Sequence, residues 1–262
     1  YRIIALDLDG TLLNSHKGLS EENRRALEAA AAAGVEIVPT TGRFFDGIPE
    51  VVRQLPFLHY AITINGARAE DLRSRREIYR AEIPNRQALE VMTYLDGLPV
   101  LYDCYVNNWG WITQGLQDRA AEFAPDEHCL KMLRELRTPV PELKAHLRET
   151  GRSVQKIQFF ARTPALRDRY QAEFVQAFPD LAATSSLVNN LEINHPDANK
   201  GAALAALAAH LGVPMAETMA FGDGSNDVSM LRAAGLGAAM ENAGEPARRA
   251  ADTVTASCDH DG

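Results

Sequence analysis

Apolar residues in this chain gather in short runs that stop at small and acidic residues. Ile3-Ile4-Ala5-Leu6 ends at Asp7-Leu8-Asp9-Gly10-Thr11, and Thr218-Met219-Ala220-Phe221 ends at Gly222-Asp223-Gly224-Ser225-Asn226-Asp227. Runs of that length, with β-branched or small members and glycine at the exit, predict buried strands closing in loops. Between them Ser20-Glu21-Glu22 opens a helix through Ala33: Ser20 suits the N-cap, the acids suit the first turn, and Gly34 stops it. Val35 to Pro39 is a second strand, ending at Thr40-Thr41-Gly42-Arg43, and Tyr60 to Ile64 a third, ending at Asn65-Gly66. The βα alternation predicts a doubly wound, Rossmann-like parallel sheet with right-handed crossovers.

The middle of the chain has a different rhythm. Residues 67–83 suggest a polar hairpin around Asp71 to Arg75. Helices are expected over 85–95, 141–150 and 164–178, and strands over 101–106 and 154–161, with Asn107-Asn108-Trp109-Gly110 as a turn. The clean βα pattern then returns: Leu191 to Asn194, a helix from Lys200 to Leu211 stopped by Gly212, the strand at Thr218, and a helix from Asn226 to Ala234. The division expected is a catalytic core of residues 1–83 and 190–262, with an α+β module of residues 84–189 inserted into it.

With 262 residues, 46% of them hydrophobic and 24% charged, the chain reads as an ordinary globular protein. The net charge of −8 argues against a broad nucleic-acid surface, and a monomer or weak homodimer is expected. Cys104, Cys129 and Cys258 are odd in number and widely spaced, which favours a reducing, cytoplasmic setting over a disulfide framework. No long apolar run suggests a membrane partner. The chain opens at Tyr1, so an initiator Met is expected upstream.

The chemistry lies at the strand ends. In parallel α/β sheets the loops at the carboxyl edge hold the site, so the two acidic runs are expected to meet there. Carboxylates that close repel unless a cation lies among them, and a hard divalent ion, Mg²⁺ first, suits oxygen ligands. An aspartate nucleophile beside such a metal is phosphoryl-transfer chemistry. Each motif alone has a bland reading: Asp-x-Asp-Gly as a solvated turn, Thr-Gly-Arg as any strand-to-helix turn, Lys200 as a solvated lysine at a helix start, and Gly222 to Asp227 as an Asx-rich cap. Lys200 is odd for that, because a cation at a helix N-terminus opposes the dipole. No dinucleotide fingerprint, Walker loop or His-Glu-x-x-His is present. Trp109 and Trp111 read as packing of the inserted module, Cys104 as a small buried residue, and Lys156 as a solvated edge lysine.

Asp7-Leu8-Asp9-Gly10-Thr11, Thr41, Lys200 and Gly222-Asp223 to Asn226-Asp227 fall in the order of the four motifs of the haloacid dehalogenase superfamily. With Thr41-Gly42-Arg43, Asn65-Gly66-Ala67 and Lys200-Gly201, the chain resembles its Cof-type phosphohydrolases, which carry a type-two, subclass-B cap between the second and third motifs. The resemblance implies Asp7 as nucleophile and Asp9 as general acid and base. It also implies Mg²⁺ held by Asp7, the Asp9 backbone carbonyl and Asp223, with Asp227 supporting the metal shell from behind. Thr41, Gly42, Lys200 and Asn226 would meet the phosphoryl group, and Arg43 and Asn65 the rest of a small phosphorylated metabolite. A cap roofing the site would exclude bulk water and proteins as substrates. A phosphomutase or phosphotransferase on the same scaffold, a phospho-Asp switch and a non-catalytic sugar-phosphate binder are the rival readings. Members of the family usually continue beyond Asp261-Gly262 into a final helix.

Overall fold

A computed structural model describes residues 1–262. The chain divides into two compact units, one formed by 1–81 with 197–262 and the other by 82–196. Five strands precede the second unit: β1 (Ile3–Leu6), β2 (Glu36–Pro39), β3 (Tyr60–Thr63), β4 (Arg68–Asp71) and β5 (Glu77–Arg80). Six lie within it: β6 (Leu101–Val106), β7 (Trp109–Thr113), β8 (Thr138–Val140), β9 (Lys156–Phe160), β10 (Ala182–Thr184) and β11 (Asn190–Asn194). Three follow: β12 (Thr218–Gly222), β13 (Leu236–Ala239) and β14 (Thr253–Val254).

The first unit is built on a wholly parallel sheet of order β14-β13-β12-β1-β2. Both faces are covered, which is why its strands are near-continuous apolar runs. Ile3, Ala5, Val38 and Ala220 pack with Ala203, Leu204 and Leu207 of the helix Lys200–His210, and with Met230 and Leu231. On the opposite face Ile4, Ile37 and Phe221 pack with Leu27, Val52 and Leu55. Alternate strand residues thus serve opposite layers, the doubly wound α/β arrangement expected from the sequence. Ser20 caps the helix Glu21–Ala32 by accepting from the Asn23 N–H.

β3 departs from that rhythm. It meets β2 through a single parallel bridge, Thr40 to Ile62, and pairs antiparallel with β4, which pairs with β5. The polar hairpin anticipated around Asp71 to Arg75 is this β4–β5 pair.

The second unit carries a six-stranded sheet of order β10-β11-β9-β6-β7-β8, antiparallel except between β7 and β8. One face buries Tyr102, Cys104, Ile157, Phe159, Leu191 and Ile193 against Val91, Leu95, Leu147 and Phe174. On the other, Leu101, Ile112 and Phe160 pack with Phe123 and Leu133, and beyond them the face turns polar. There the Arg137 Nε donates to Asp103 Oδ2 at 2.9 Å and its Nη2 to the Tyr105 hydroxyl at 2.7 Å, while Lys156 pairs with Glu192 at 2.8 Å. Gly110 in β7 makes room for this guanidinium: a Cβ there would lie 2.3 Å from Arg137 Cδ.

Several sequence expectations shift. β11 pairs with β9 and belongs to the second unit, so the chain returns to the first at 197 rather than 190. Lys156 is not a solvated edge lysine: β9 lies between β11 and β6, and the ammonium is buried over the Tyr105 ring. The turn before β7 is Asn107-Asn108 alone, both with positive φ, as the tightest hairpins require, and Trp109 already belongs to the strand. The helix Glu127–Glu135, capped by Asp126, and the three-residue strands β8 and β10 were not anticipated. They are short or strongly amphipathic elements whose apolar residues are too few to stand out.

Asp103→Ala would leave the buried Arg137 guanidinium without its carboxylate, a loss of about 3 kcal/mol or more for this class of change. Urea denaturation of the variant should show that loss; an unchanged midpoint would mean that the pair does not hold the second unit together.

Candidate active site

The site is assembled by strand order. β1 lies between β12 and β2, and the Asp7 N–H donates to the Phe221 carbonyl at 3.0 Å, so the chain leaves β1 beside the exit of β12. Gly10, at φ +83°, lets the two exit loops touch: a Cβ there would lie 2.5 Å from Asp223 Oδ2. Thr11 fixes the other oxygen of that carboxylate, its hydroxyl donating to Asp223 Oδ1 at 2.9 Å. One carboxylate oxygen from each of Asp7, Asp223 and Asp227 lies within 4.8 Å of the other two.

Lys200 enters from the first residue of its helix, which Asn199 caps by accepting from the Ala202 N–H. Two glycines permit its approach: a Cβ on Gly66 would lie 2.3 Å from the Asn199 carbonyl, and one on Gly201 2.4 Å from the Ser229 carbonyl oxygen. The fully buried ammonium donates to Asp7 Oδ1 at 2.6 Å and to Asp227 Oδ1 at 2.5 Å. Asp227 Oδ2 in turn accepts the N–H groups of Asp223 and Gly224 at 2.9 and 2.8 Å. Asp227 is therefore committed on both oxygens, bracing the loop that carries Asp223.

A second cluster forms around Asp9. Arg43 grips it with two bonds, Nε to Oδ2 at 2.7 Å and Nη2 to Oδ1 at 2.9 Å, and Lys17 Nζ adds a third to Oδ1 at 2.9 Å. A third group gathers where β2 and β3 end. The Thr41 hydroxyl accepts the Arg43 N–H, the Asn65 N–H donates to the Thr41 carbonyl, and Asn226 Nδ2 donates to Asn65 Oδ1 at 3.2 Å. Gly42 has its own reason: a Cβ there would lie 2.7 Å from Asn65 Oδ1. Ile64, Asn65 and Gly66 all adopt positive φ, at 54°, 58° and 90°. For a buried β-branched residue such as Ile64 that conformation costs about 1–2 kcal/mol, the kind of strain found at functional sites.

The electrostatics are lopsided. Burial and then the Asp227 charge push the Asp7 carboxyl well above the usual carboxylate range, against the pull of Lys200. Burial and Asp227 likewise push Asp223 up to about 6, against the Thr11 hydrogen bond. Burial alone would lower Lys200, but Asp227 and then Asp7 outweigh it and hold it above its ordinary value. Asp9 goes the other way: burial would raise it, but the Arg43 and Lys17 bonds hold it well below the usual range. Three carboxylates facing one ammonium leave two negative charges uncompensated. An all-oxygen donor set with that excess fits a hard divalent cation.

Asp7, Lys200, Asp223 and Asp227 are thus brought together, Thr41, Gly42, Asn65 and Asn226 form an adjoining group, and Asp9 and Arg43 are bound to each other. Arg43, expected against a substrate, is the partner of Asp9. Sequence reading did not single out Lys17, nor Asn242, whose Nδ2 donates to the Gly10 carbonyl at 2.7 Å. Neither sits in a recognisable motif.

A parallel α/β sheet with an acidic, lysine-braced cluster at its carboxyl edge defines a phosphoryl-transfer type of centre. The chain belongs to the haloacid dehalogenase-like hydrolase family, whose model matches residues 4–262. It is 31% identical over 277 residues to Phosphatase YwpJ of Bacillus subtilis, covering 100% of this chain and 96% of that protein. It is 30% identical over 254 residues to the 5-amino-6-(5-phospho-D-ribitylamino)uracil phosphatase YcsE of the same organism, covering 97% and 89%. A solved haloacid dehalogenase-like hydrolase from B. subtilis superposes with a TM-score of 0.85 at 30% identity, covering 100% of this chain and 97% of that one. No helix is long and apolar enough to cross a membrane.

The raised Asp223 fixes the sign of a stability effect. Its ionised form is disfavoured in the metal-free fold, so that protein should gain stability as pH falls through about 6 toward the ordinary carboxylate range. A cation that binds the folded state should raise the melting temperature at neutral pH by roughly 5–10 °C when present at about a hundred times its Kd. Differential scanning fluorimetry with Mg²⁺ or Mn²⁺ should show that rise in the wild type and not in Asp223→Asn. An equal rise in both would place the cation elsewhere.

Proposed function

We propose that this chain is a Mg²⁺-dependent phosphatase of small phosphorylated metabolites, working through an aspartyl phosphate on Asp7. The observation that carries the reading is the pairing of buried Asp7 and Asp227 on the Lys200 ammonium with half-buried Asp223 beside them. Names of relatives such as the ribitylaminouracil phosphatase support the substrate class. Mg²⁺ would be held by Asp7, Asp223 and the Asp9 backbone carbonyl, and when bound it would offset the repulsion between Asp7 and a phosphate.

The chain's own residues then divide the work. Lys200 holds Asp7 Oδ1, which orients the carboxylate for in-line attack on phosphorus. Thr41, Gly42, Asn226 and Lys200 would donate to the phosphoryl oxygens, where charge is spread in the transition state. As the new O–P bond forms, the ester P–O bond breaks and the leaving oxygen takes a proton from Asp9. Water next attacks phosphorus, gives its proton to Asp9 and releases inorganic phosphate, restoring Asp7. The Arg43 and Lys17 bonds oppose a proton on Asp9, so a proton held there would pass readily to the leaving oxygen. Residues 82–196 would serve as the cap that selects among phosphate esters.

A panel of phosphate esters with Mg²⁺ tests this. Wild type should release one inorganic phosphate per substrate consumed, and Asp7→Asn should lower kcat/KM by roughly a thousandfold or more. Chelation with EDTA should abolish turnover and added Mg²⁺ restore it. A positional isomer of the substrate as product, or turnover unaffected by Asp7→Asn, would contradict the proposal.

A further inference from the structure

Asp9 is held by more than its motif partner. A carboxylate offers about four acceptor positions, two on each oxygen. Asp9 Oδ1 receives both Lys17 Nζ at 2.9 Å and Arg43 Nη2 at 2.9 Å, whereas Oδ2 receives only Arg43 Nε at 2.7 Å. Oδ1 is therefore filled, and the open acceptor position lies on Oδ2. Arg43 is tied a third time, Nη1 donating to the Gly47 carbonyl, while the Lys17 ammonium has Asp9 as its partner.

The loop carrying Lys17 is organised to present it. Lys17 adopts a left-handed backbone at φ +62°, a conformation that lysine takes only at a cost. Asn14 holds that shape from both sides: its Oδ1 accepts the N–H groups of His16 and Gly18, its carbonyl accepts the Lys17 N–H, and its N–H donates to the Gly18 carbonyl. The far end of the chain anchors the loop, Asp259 Oδ1 accepting the Ser15 N–H at 2.8 Å and Asn242 holding the Gly10 carbonyl.

We propose that Lys17 is a positioning residue for Asp9: by filling Oδ1 it leaves Oδ2 as the oxygen that exchanges the proton with water and with the leaving group. The role rests on the phosphatase reading above. Without Lys17 either oxygen is open, and the carboxylate presents its working lone pair in more than one orientation. An ion pair whose lysine is 42% exposed adds little to stability, so the role is kinetic.

The test is a double-mutant cycle on the full chain with Mg²⁺. Lys17→Ala should lower kcat by roughly tenfold or more on an alkyl phosphate, whose leaving oxygen needs a proton, with KM within about twofold. On p-nitrophenyl phosphate, whose leaving group needs no proton, the first chemical step should be nearly unaffected, and acid-quenched samples should show aspartyl phosphate accumulating. Lys17→Arg should recover much of the rate, and Lys17→Ala should add nothing in an Asp9→Asn background. Equal losses in the rate of the first chemical step on both esters, a rise in KM alone, or full additivity with Asp9→Asn would each overturn the role while leaving the phosphatase reading intact. Absence of any Asp7-dependent turnover in the wild type would overturn both.

Discussion

A lysine ammonium with no exposure, set between two carboxylates, is the constraint on which the first unit depends. Taking Lys200, Asp7 and Asp227 out of water costs several kcal/mol per charge, and only their close pairing offsets it. Much of the local sequence follows from bringing that ammonium in. Gly66 and Gly201 clear the backbone around it, Asn199 caps its helix, and Asp227 returns the favour by bracing the Asp223 loop. The strain at Ile64 and Asn65 is localised in the same neighbourhood, on the loop that presses against Asn199.

The two units treat buried charge differently. On the polar sheet face of the second, Asp103 and Glu192 meet Arg137 and Lys156, two acids against two bases. In the first unit the acids outnumber the lysine, and the excess shows itself as carboxyl groups pushed upward in Asp7 and Asp223. Imbalance of this kind marks a place where a cation or a substrate completes the electrostatics.

Much of the architecture was legible in the chain because short apolar runs between glycines leave few alternatives to a buried parallel strand. Asp7, Asp223 and Asp227 could be expected together because both acidic runs close strands of one parallel sheet, whereas Lys200 was expected there only through the family resemblance. Three things were hidden for physical reasons. The side of the boundary on which β11 falls depends on which sheet completes its hydrogen bonds, and Leu191-Glu192-Ile193 suits either. Lys156 looked solvated because its buried partner Glu192 lies 36 residues away and the pairing exists only once β9 and β11 align. Lys17 reaches Asp9 through a left-handed turn that no local pattern of hydrophobicity encodes.

The central claim is that the carboxylate of Asp7, and no other, forms a covalent bond to phosphorus. Rapid mixing with a phosphate ester and Mg²⁺, followed by acid quench, borohydride reduction and peptide mapping, reads that bond directly, because an acyl phosphate is reduced to an alcohol where a free carboxylate is not. The account predicts homoserine at position 7 in substrate-treated protein alone. Reduction at Asp223 or Asp227 instead, or none during active turnover, would contradict it.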